Sequence, residues 1–194
     1  MCSRTAPRPR RPRPAAAGIA PARASAVIEY DLTYTDLLVK AVAKTLKRHP
    51  ALNASLVGDE IHQLEAVHIG VAVALAEGLI VPVVRDADKR PIPEIAAEVR
   101  RLAEGARANT LPVDEVTGST FTITNLGNYG VDGFTPVINP PECAILGAGR
   151  IVDNVAEFQG EQVVRRAKLT LSLTIDHRLV DGAPAGEFLK ALKD

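Results

Sequence analysis

From residue 31 onward the apolar positions of this chain fall into periodic blocks. Leu38, Val39, Val42 and Leu46 recur at helical spacing, with Thr35 or Asp36 placed to cap the helix. The helix should end near His49-Pro50, because proline disfavours helix in the residue before it. Residues 69–75 and 79–84 read as two strands, joined by a hairpin turn at Glu77-Gly78. Their near-continuous apolar character predicts a sheet buried on at least part of both faces. Residues 92–106 return to helical spacing, with Ile95, Ala96, Val99 and Leu102 on one face. Further strands are expected at 120–124, 144–148 and 168–175, and a last helix after Gly182, through Phe188 and Leu189 to the end. No internal repeat stands out. The sum is α/β: a mixed β-sheet flanked by helices.

Composition narrows the function classes. The 194 residues suit one domain, and 23 acidic side chains balance 23 basic ones, so charge offers no argument for nucleic acid or an anionic membrane as partner. Aromatics make up only 4% and Trp is absent, which argues against a surface for stacking bases. No apolar run reaches the roughly 18 residues needed to span a bilayer. Cys2 and Cys143 make neither a disulfide framework nor a metal-spaced pair. Cys143 reads as a small buried thiol at a strand start, and this usage fits a reducing compartment.

Residues 1–28 differ in kind from the rest. They are rich in Arg, Pro and Ala and too poor in core-forming side chains to offset the entropy of ordering, so disorder is expected, with a domain over 29–194. An organelle transit peptide, an interdomain linker and the product of a wrong start or frame shift all fit this composition. Prolines interrupt any amphipathic helix there, which weakens the first reading.

The candidate chemistry lies where the strand at 168–175 breaks into Asp176-His177-Arg178-Leu179-Val180-Asp181-Gly182. Imidazole is the usual side chain for moving a proton near neutral pH, and a thiol is a poor nucleophile until it loses one. Asp181 lies four residues on and Arg178 lies next to His177; a buried carboxylate and a guanidinium can pair and brace the turn. Gly182 would let the backbone bend or approach closely. The same residues could also form an ordinary solvated loop. As a metal site, His177 with Asp176 and Asp181 lacks a second His or Cys, so no metal is expected. His49, His62 and His68 lack comparable surroundings. A second segment, Phe121-Thr122-Ile123-Thr124-Asn125-Leu126-Gly127-Asn128-Tyr129-Gly130, is an alternating strand ending in a Gly/Asn turn. Threonine is common in strands, and the glycines do not form a phosphate loop.

Asp176 to Gly182 resembles the active-site signature of the dihydrolipoamide acyltransferases, the core components of 2-oxo acid dehydrogenase complexes. The shorter His-x-x-x-Asp-Gly element is shared with chloramphenicol acetyltransferase and peptide-synthetase condensation domains. Four more segments are similar to the acyltransferases: residues 34–41, residues 70–73 with 78–83, residues 121–127 and Ile138-Asn139-Pro140-Pro141-Glu142. The resemblance implies a chloramphenicol acetyltransferase-like fold and transfer of an acyl group between dihydrolipoamide and coenzyme A. It implies His177 as general base, Asp181 as the motif's acid and Thr124 as hydroxyl donor to the oxyanion, supported by Asn125, Asp176, Arg178 and Gly182. In that family the His of one chain faces the Ser or Thr of a neighbour, in homotrimers that build a 24- or 60-chain core. Gly127-Asn128-Tyr129-Gly130-Val131 and Phe134-Thr135-Pro136-Val137 look closer to acetyl-transferring members than to branched-chain ones.

The expected partners are a lipoyl-bearing domain, a decarboxylase and dihydrolipoamide dehydrogenase, in bacterial cytoplasm or, alternatively, the mitochondrial matrix. The chain departs from the family in showing no lipoyl domain, no peripheral-subunit-binding domain and no opening helix and strand of the catalytic domain. The domain is therefore expected to be incomplete at its N-terminal side, with lipoyl groups arriving in trans. Two alternatives stay open: a truncated, non-catalytic remnant or assembly piece, and an acyltransferase of the same superfamily with a different acceptor.

Overall fold

The computed structural model describes residues 31–159 and 162–194, so the expected disordered segment at 1–28 and the domain start at 29 lie outside the described residues. α1 (Tyr34–Leu46) opens on a capping box. The Thr33 hydroxyl accepts from the Asp36 amide at 3.3 Å, and the Asp36 carboxylate accepts from the Thr33 amide at 2.7 Å. The cap is Thr33 rather than Thr35 or Asp36, because this reciprocal exchange needs a hydroxyl three residues before the acid. The helix stops at Leu46, and Pro50 opens a separate 3-10 turn.

The strands are β1 (Ala54–Val57), β2 (Glu60–Gln63), β3 (Ile69–Val71), β4 (Val73–Leu75), β5 (Gly78–Ile80), β6 (Val83–Val84), β7 (Phe121–Asn125), β8 (Ala144–Gln159) and β9 (Gln162–Ile175). α2 (Ile92–Ala108) precedes β7, and α3 (Gly182–Lys193) follows β9. One five-stranded sheet runs β6-β3-β7-β8-β9, its three inner strands parallel and its two outer strands antiparallel to their neighbours. The expected α/β architecture is what forms.

Each of the two expected strands at 69–75 and 79–84 divides. β3 and β6 join the main sheet, while β4 and β5 form their own hairpin, with Leu75 paired to Gly78 across a turn at Ala76-Glu77. Pro82 has no N–H to give to a ladder; its carbonyl instead takes the Val71 amide at 2.9 Å. The β1–β2 hairpin is an addition to the expected elements, since β2 is exposed throughout and carries no apolar alternation. β8 and β9 run well past their apolar ends at 144–148 and 168–175. Backbone pairing carries that extension, with Glu157 lying 3.6 Å from Arg166 and 3.2 Å from Lys168.

Strand pleating gives the sheet two unlike faces. Ile69, Val71, Phe121, Ile123, Ala144 and Leu146 point to the side where α1, α2 and α3 pack, and all belong to one buried core. Gly70, Thr122, Thr124, Ile145 and Gly147 point to the other side. That side is covered by the irregular segment 126–142: Arg150 N donates to Val131 O at 2.7 Å and Thr174 Oγ1 to Pro136 O at 2.8 Å. Parts of both faces are therefore buried, as the apolar runs imply. Cys143 is fully buried at the start of β8, its Sγ donating to Leu52 O at 3.1 Å, and burial pushes its thiol pKa up. Among the described residues no helix is long and apolar enough to cross a membrane.

α3 is anchored by Phe188, which is 0% exposed and lies 5.8 Å from the Phe121 ring and 5.9 Å from the His49 ring, centroid to centroid. Phe188→Ala should cost about 3–5 kcal/mol of unfolding free energy. Urea titration followed by far-UV circular dichroism will measure this, and a loss below about 1 kcal/mol would show that α3 is not part of the cooperative core.

Candidate active site

β9 stays paired one step beyond its end, where the Asp176 amide donates to Cys143 O at 2.7 Å. The chain then folds back on itself, and the Leu179 and Val180 amides both donate to Asp176 O, at 3.0 and 3.1 Å. Val180 is buried in the core, so the polar residues between it and β9 are turned outward. The carboxylate bracing this turn belongs to Asp176. It accepts from Arg178 Nη2 at 2.6 Å, from Arg178 Nε at 3.0 Å and from the Arg178 amide at 3.0 Å. The guanidinium beside it holds the Asp176 carboxyl below the usual carboxylate range.

His177 and Asp181 stand together on the outer side of the turn. His177 Nδ1 lies 3.4 Å from Asp181 Oδ1, and their side chains are 73% and 82% exposed. Asp181 occupies the N-cap position of α3 with extended backbone, yet its side chain makes no capping bond and remains directed at the imidazole. Arg178 therefore pairs with Asp176, two residues away on the same turn, while Asp181 is left to His177. Gly182 begins α3 with open space where a Cβ would stand, so within one chain nothing demands a glycine there.

Thr124 lies on β7, paired with Gly147 of β8, and is half-buried. Asn125 ties the following loop down in two directions. Its Nδ2 donates to Thr35 Oγ1 of α1 at 3.2 Å, and its Oδ1 accepts from the Gly127 amide at 2.8 Å. Gly127 sits so close to β8 that a Cβ would come within 2.7 Å of Gly149 O. Thr124 and Asn125 also line a cavity of about 960 Å³ at the C-terminal ends of β3 and β7, beside residues 148–151 of β8 and between α1 and α2. Crevices at the carboxyl ends of parallel strands are where open α/β sheets commonly bind ligands.

The structure brings His177 and Asp181 together, and Thr124 and Asn125 together, but keeps the two pairs apart. Thr124 is level with Gly147, which is level with Ser172. His177 comes five residues after Ser172, beyond the opposite end of the sheet. Strand geometry then separates the two functional groups by on the order of 20 Å within one chain.

Two features of this region come from tertiary structure. The Phe134 ring and Pro136 lie 3.0 and 3.3 Å from the position of a Cβ on Gly147, and so stand on the Thr124 face of the sheet. Glu142 is buried and accepts hydrogen bonds from Ser119, Thr122 and Asn139. The segment 138–142 stands out in the sequence, but which strand its acid reaches depends on a chain crossing that spacing does not encode.

Residues 20–194 match the family described as 2-oxoacid dehydrogenases acyltransferase (catalytic domain). The chain is 48% identical over 162 residues to the dihydrolipoyllysine-residue acetyltransferase component of the acetoin cleaving system of Bacillus subtilis. It is 42% identical over 163 residues to the dihydrolipoyllysine-residue succinyltransferase component of the 2-oxoglutarate dehydrogenase complex of Haemophilus influenzae. Each match covers 84% of this chain but only 40% of the relative, so the chain spans well under half the length of these curated relatives. Two solved structures align with a TM-score of 0.80 at 42% identity, covering 83% of this chain and 67% of theirs. One is the cubic core of a pyruvate dehydrogenase multienzyme complex, and the other is the dihydrolipoamide acetyltransferase of Azotobacter vinelandii. A chloramphenicol acetyltransferase shares the fold with a TM-score of 0.50 at 14% identity. By sequence match and by fold, this chain belongs to the 2-oxoacid dehydrogenase acyltransferase family, as its catalytic domain.

Proposed function

We propose that the chain transfers an acetyl group between coenzyme A and dihydrolipoamide, at a site shared by two copies. His177 of one copy is the base and Thr124 of the other is the oxyanion donor. The observation that carries this reading is the placement of the two groups at opposite ends of one sheet, where they can meet only between copies. The Azotobacter vinelandii structure concerns a serine, a histidine and an asparagine in the catalytic mechanism, the asparagine four residues after the histidine. Thr124 and His177 supply the same kinds of group as the serine and the histidine, and Asp181 keeps the asparagine's spacing, four residues after the histidine, with a carboxylate in place of the amide.

In this mechanism Asp181 faces Nδ1, which favours a proton there and leaves Nε2 free to accept one. Nε2 takes the proton of the incoming thiol as its sulfur attacks the thioester carbonyl. Thr124 Oγ1 donates to the oxyanion that forms, which is worth roughly 3 kcal/mol in the transition state. The carbonyl re-forms, the bond to the departing sulfur breaks, and His177 returns the proton to that sulfur. Asp176 and Arg178 do not touch the reacting atoms; their pairing keeps the turn in one shape.

Acetyl is favoured by the surface beside Thr124. Phe134 and Pro136 wall that face, and the carboxylate of a longer acyl group would lose water against them without gaining a counter-charge. The acetyl group would be carried by a lipoyl-bearing domain, alongside decarboxylase and dihydrolipoamide dehydrogenase components, in a trimer-based core in the bacterial cytoplasm. The cubic core formed by a relative supports the assembly.

The purified chain should assemble into trimers or larger and transfer acetyl from acetyl-coenzyme A to free dihydrolipoamide. His177→Ala and Thr124→Ala should each lower kcat by about 100-fold or more. Refolding the two variants together should restore part of the rate, since a fraction of shared sites then holds both native groups. A monomer without transfer, or mixed oligomers with no recovery, would overturn the reading. Phe134→Ala should reduce the preference for acetyl- over succinyl-coenzyme A by roughly tenfold, read as the ratio of kcat/KM values. An unchanged ratio would remove Phe134 from acyl selection.

A further inference from the structure

We propose that Glu142 is a positioning residue for the transfer reaction, holding the strand that presents Thr124 and the turn that presents His177 in one frame; this rests on the acyl-transfer reading above. The residue is 4% exposed, and its side chain meets Thr122 on the face of the sheet that Thr124 shares. Oε1 accepts from Ser119 Oγ, from Thr122 Oγ1 at 2.9 Å and from Asn139 Nδ2 at 3.0 Å. Ser119 leads into β7, and Thr122 stands two residues before Thr124 on the same side of the strand. Asn139 belongs to the segment that covers this face. One oxygen thus gathers the approach to β7, its middle and its cover.

The backbone around Glu142 reaches the turn that the same chain contributes to its other shared site. Glu142 bridges to Ser55 of β1, and the Cys143 amide donates to Ala54 O at 3.1 Å. Cys143 O then accepts the Asp176 amide at 2.7 Å, immediately before His177. The two groups that one chain contributes to two different shared sites, about 20 Å apart, are therefore connected through two successive residues, so each site inherits the geometry of that link.

The bonding is lopsided for a group serving only stability. Three donors converge on Oε1, while Oε2 is enclosed with no partner among the described residues. No cation lies among its hydrogen-bond partners, and burial pushes the carboxyl pKa up, against the pull of the three donors. A buried oxygen without a partner is a cost that an apolar side chain at this position would avoid. What the acid supplies at this position is the three-way junction on Oε1, which sets Thr122 and its strand against Ser119 and Asn139.

The test compares the full-length parent chain with Glu142→Gln, Glu142→Ala and Thr122→Val. Two measurements are made: steady-state acetyl transfer, and amide hydrogen exchange over residues 122–125 and 176–178. Glu142→Gln keeps an acceptor in the same place and should stay within about threefold of the parent. Glu142→Ala should lower kcat by roughly 10- to 100-fold with little change in KM for acetyl-coenzyme A, as displacement of a catalytic group predicts. It should also speed exchange in both segments. Thr122→Val deletes a single hydroxyl, and so carries the same kinetic expectation should Glu142→Ala fail to fold. Parental kcat in Glu142→Ala or in Thr122→Val, equal losses in Glu142→Ala and Glu142→Gln, or faster exchange confined to residues 122–125 would each overturn the proposal. A parent chain that transfers nothing would defeat the acyl-transfer reading by itself, while the paired exchange response still decides whether Glu142 couples the two segments.

Discussion

Neighbouring residues on a strand must point to opposite faces, and this alternation divides β7 between two tasks. Phe121 and Ile123 are fully buried against the helices, while Thr122 and Thr124 face the other way. A shift of one residue in the pairing of β7 with β3 or β8 would send both threonines into the core and both large apolar side chains out of it. Glycine makes room on the second face. A Cβ on Gly147 would come within 3.0 Å of the Phe134 ring, and one on Gly149 would collide with Asp132 O. The covering segment can lie against β8 only because the strand offers no side chain at those two positions.

The same register sets the separation of the proposed catalytic groups. Three parallel strands carry Thr124 to one end of the sheet, and the antiparallel return along β9 delivers His177 to the other. Within a single chain the imidazole stands in water, where it has no thiol to accept from and no low-dielectric surroundings to strengthen its contact with Asp181. A second copy packed over this turn would change both conditions. Under the proposed chemistry a site divided between copies makes assembly a requirement, while the local turn is braced within one chain. The bracing consists of the fork of Arg178 on Asp176 and two amides closing on Asp176 O.

Periodicity and residue chemistry made a good part of this protein legible in the sequence. Three helices and the apolar centre of each main-sheet strand follow from spacing alone, because burying an apolar stripe is a local requirement that every element meets in its own sequence. The family follows from short motifs whose residues keep their spacing in the chain, and the grouping of His177 with Asp181 follows from a separation of four residues across one turn.

Tertiary structure decided what depends on partners distant in sequence. It split the runs at 69–75 and 79–84 between two sheets, and extended β8 and β9 through exposed polar residues that carry no apolar signal. It gave Arg178 to Asp176 rather than Asp181, placed Phe134 beside Thr124, and joined Glu142 to β7. These outcomes depend on which strands lie side by side and at what level. A chain read one residue at a time specifies its own faces, but pairing register and chain crossings arise only when those faces compete for a common core.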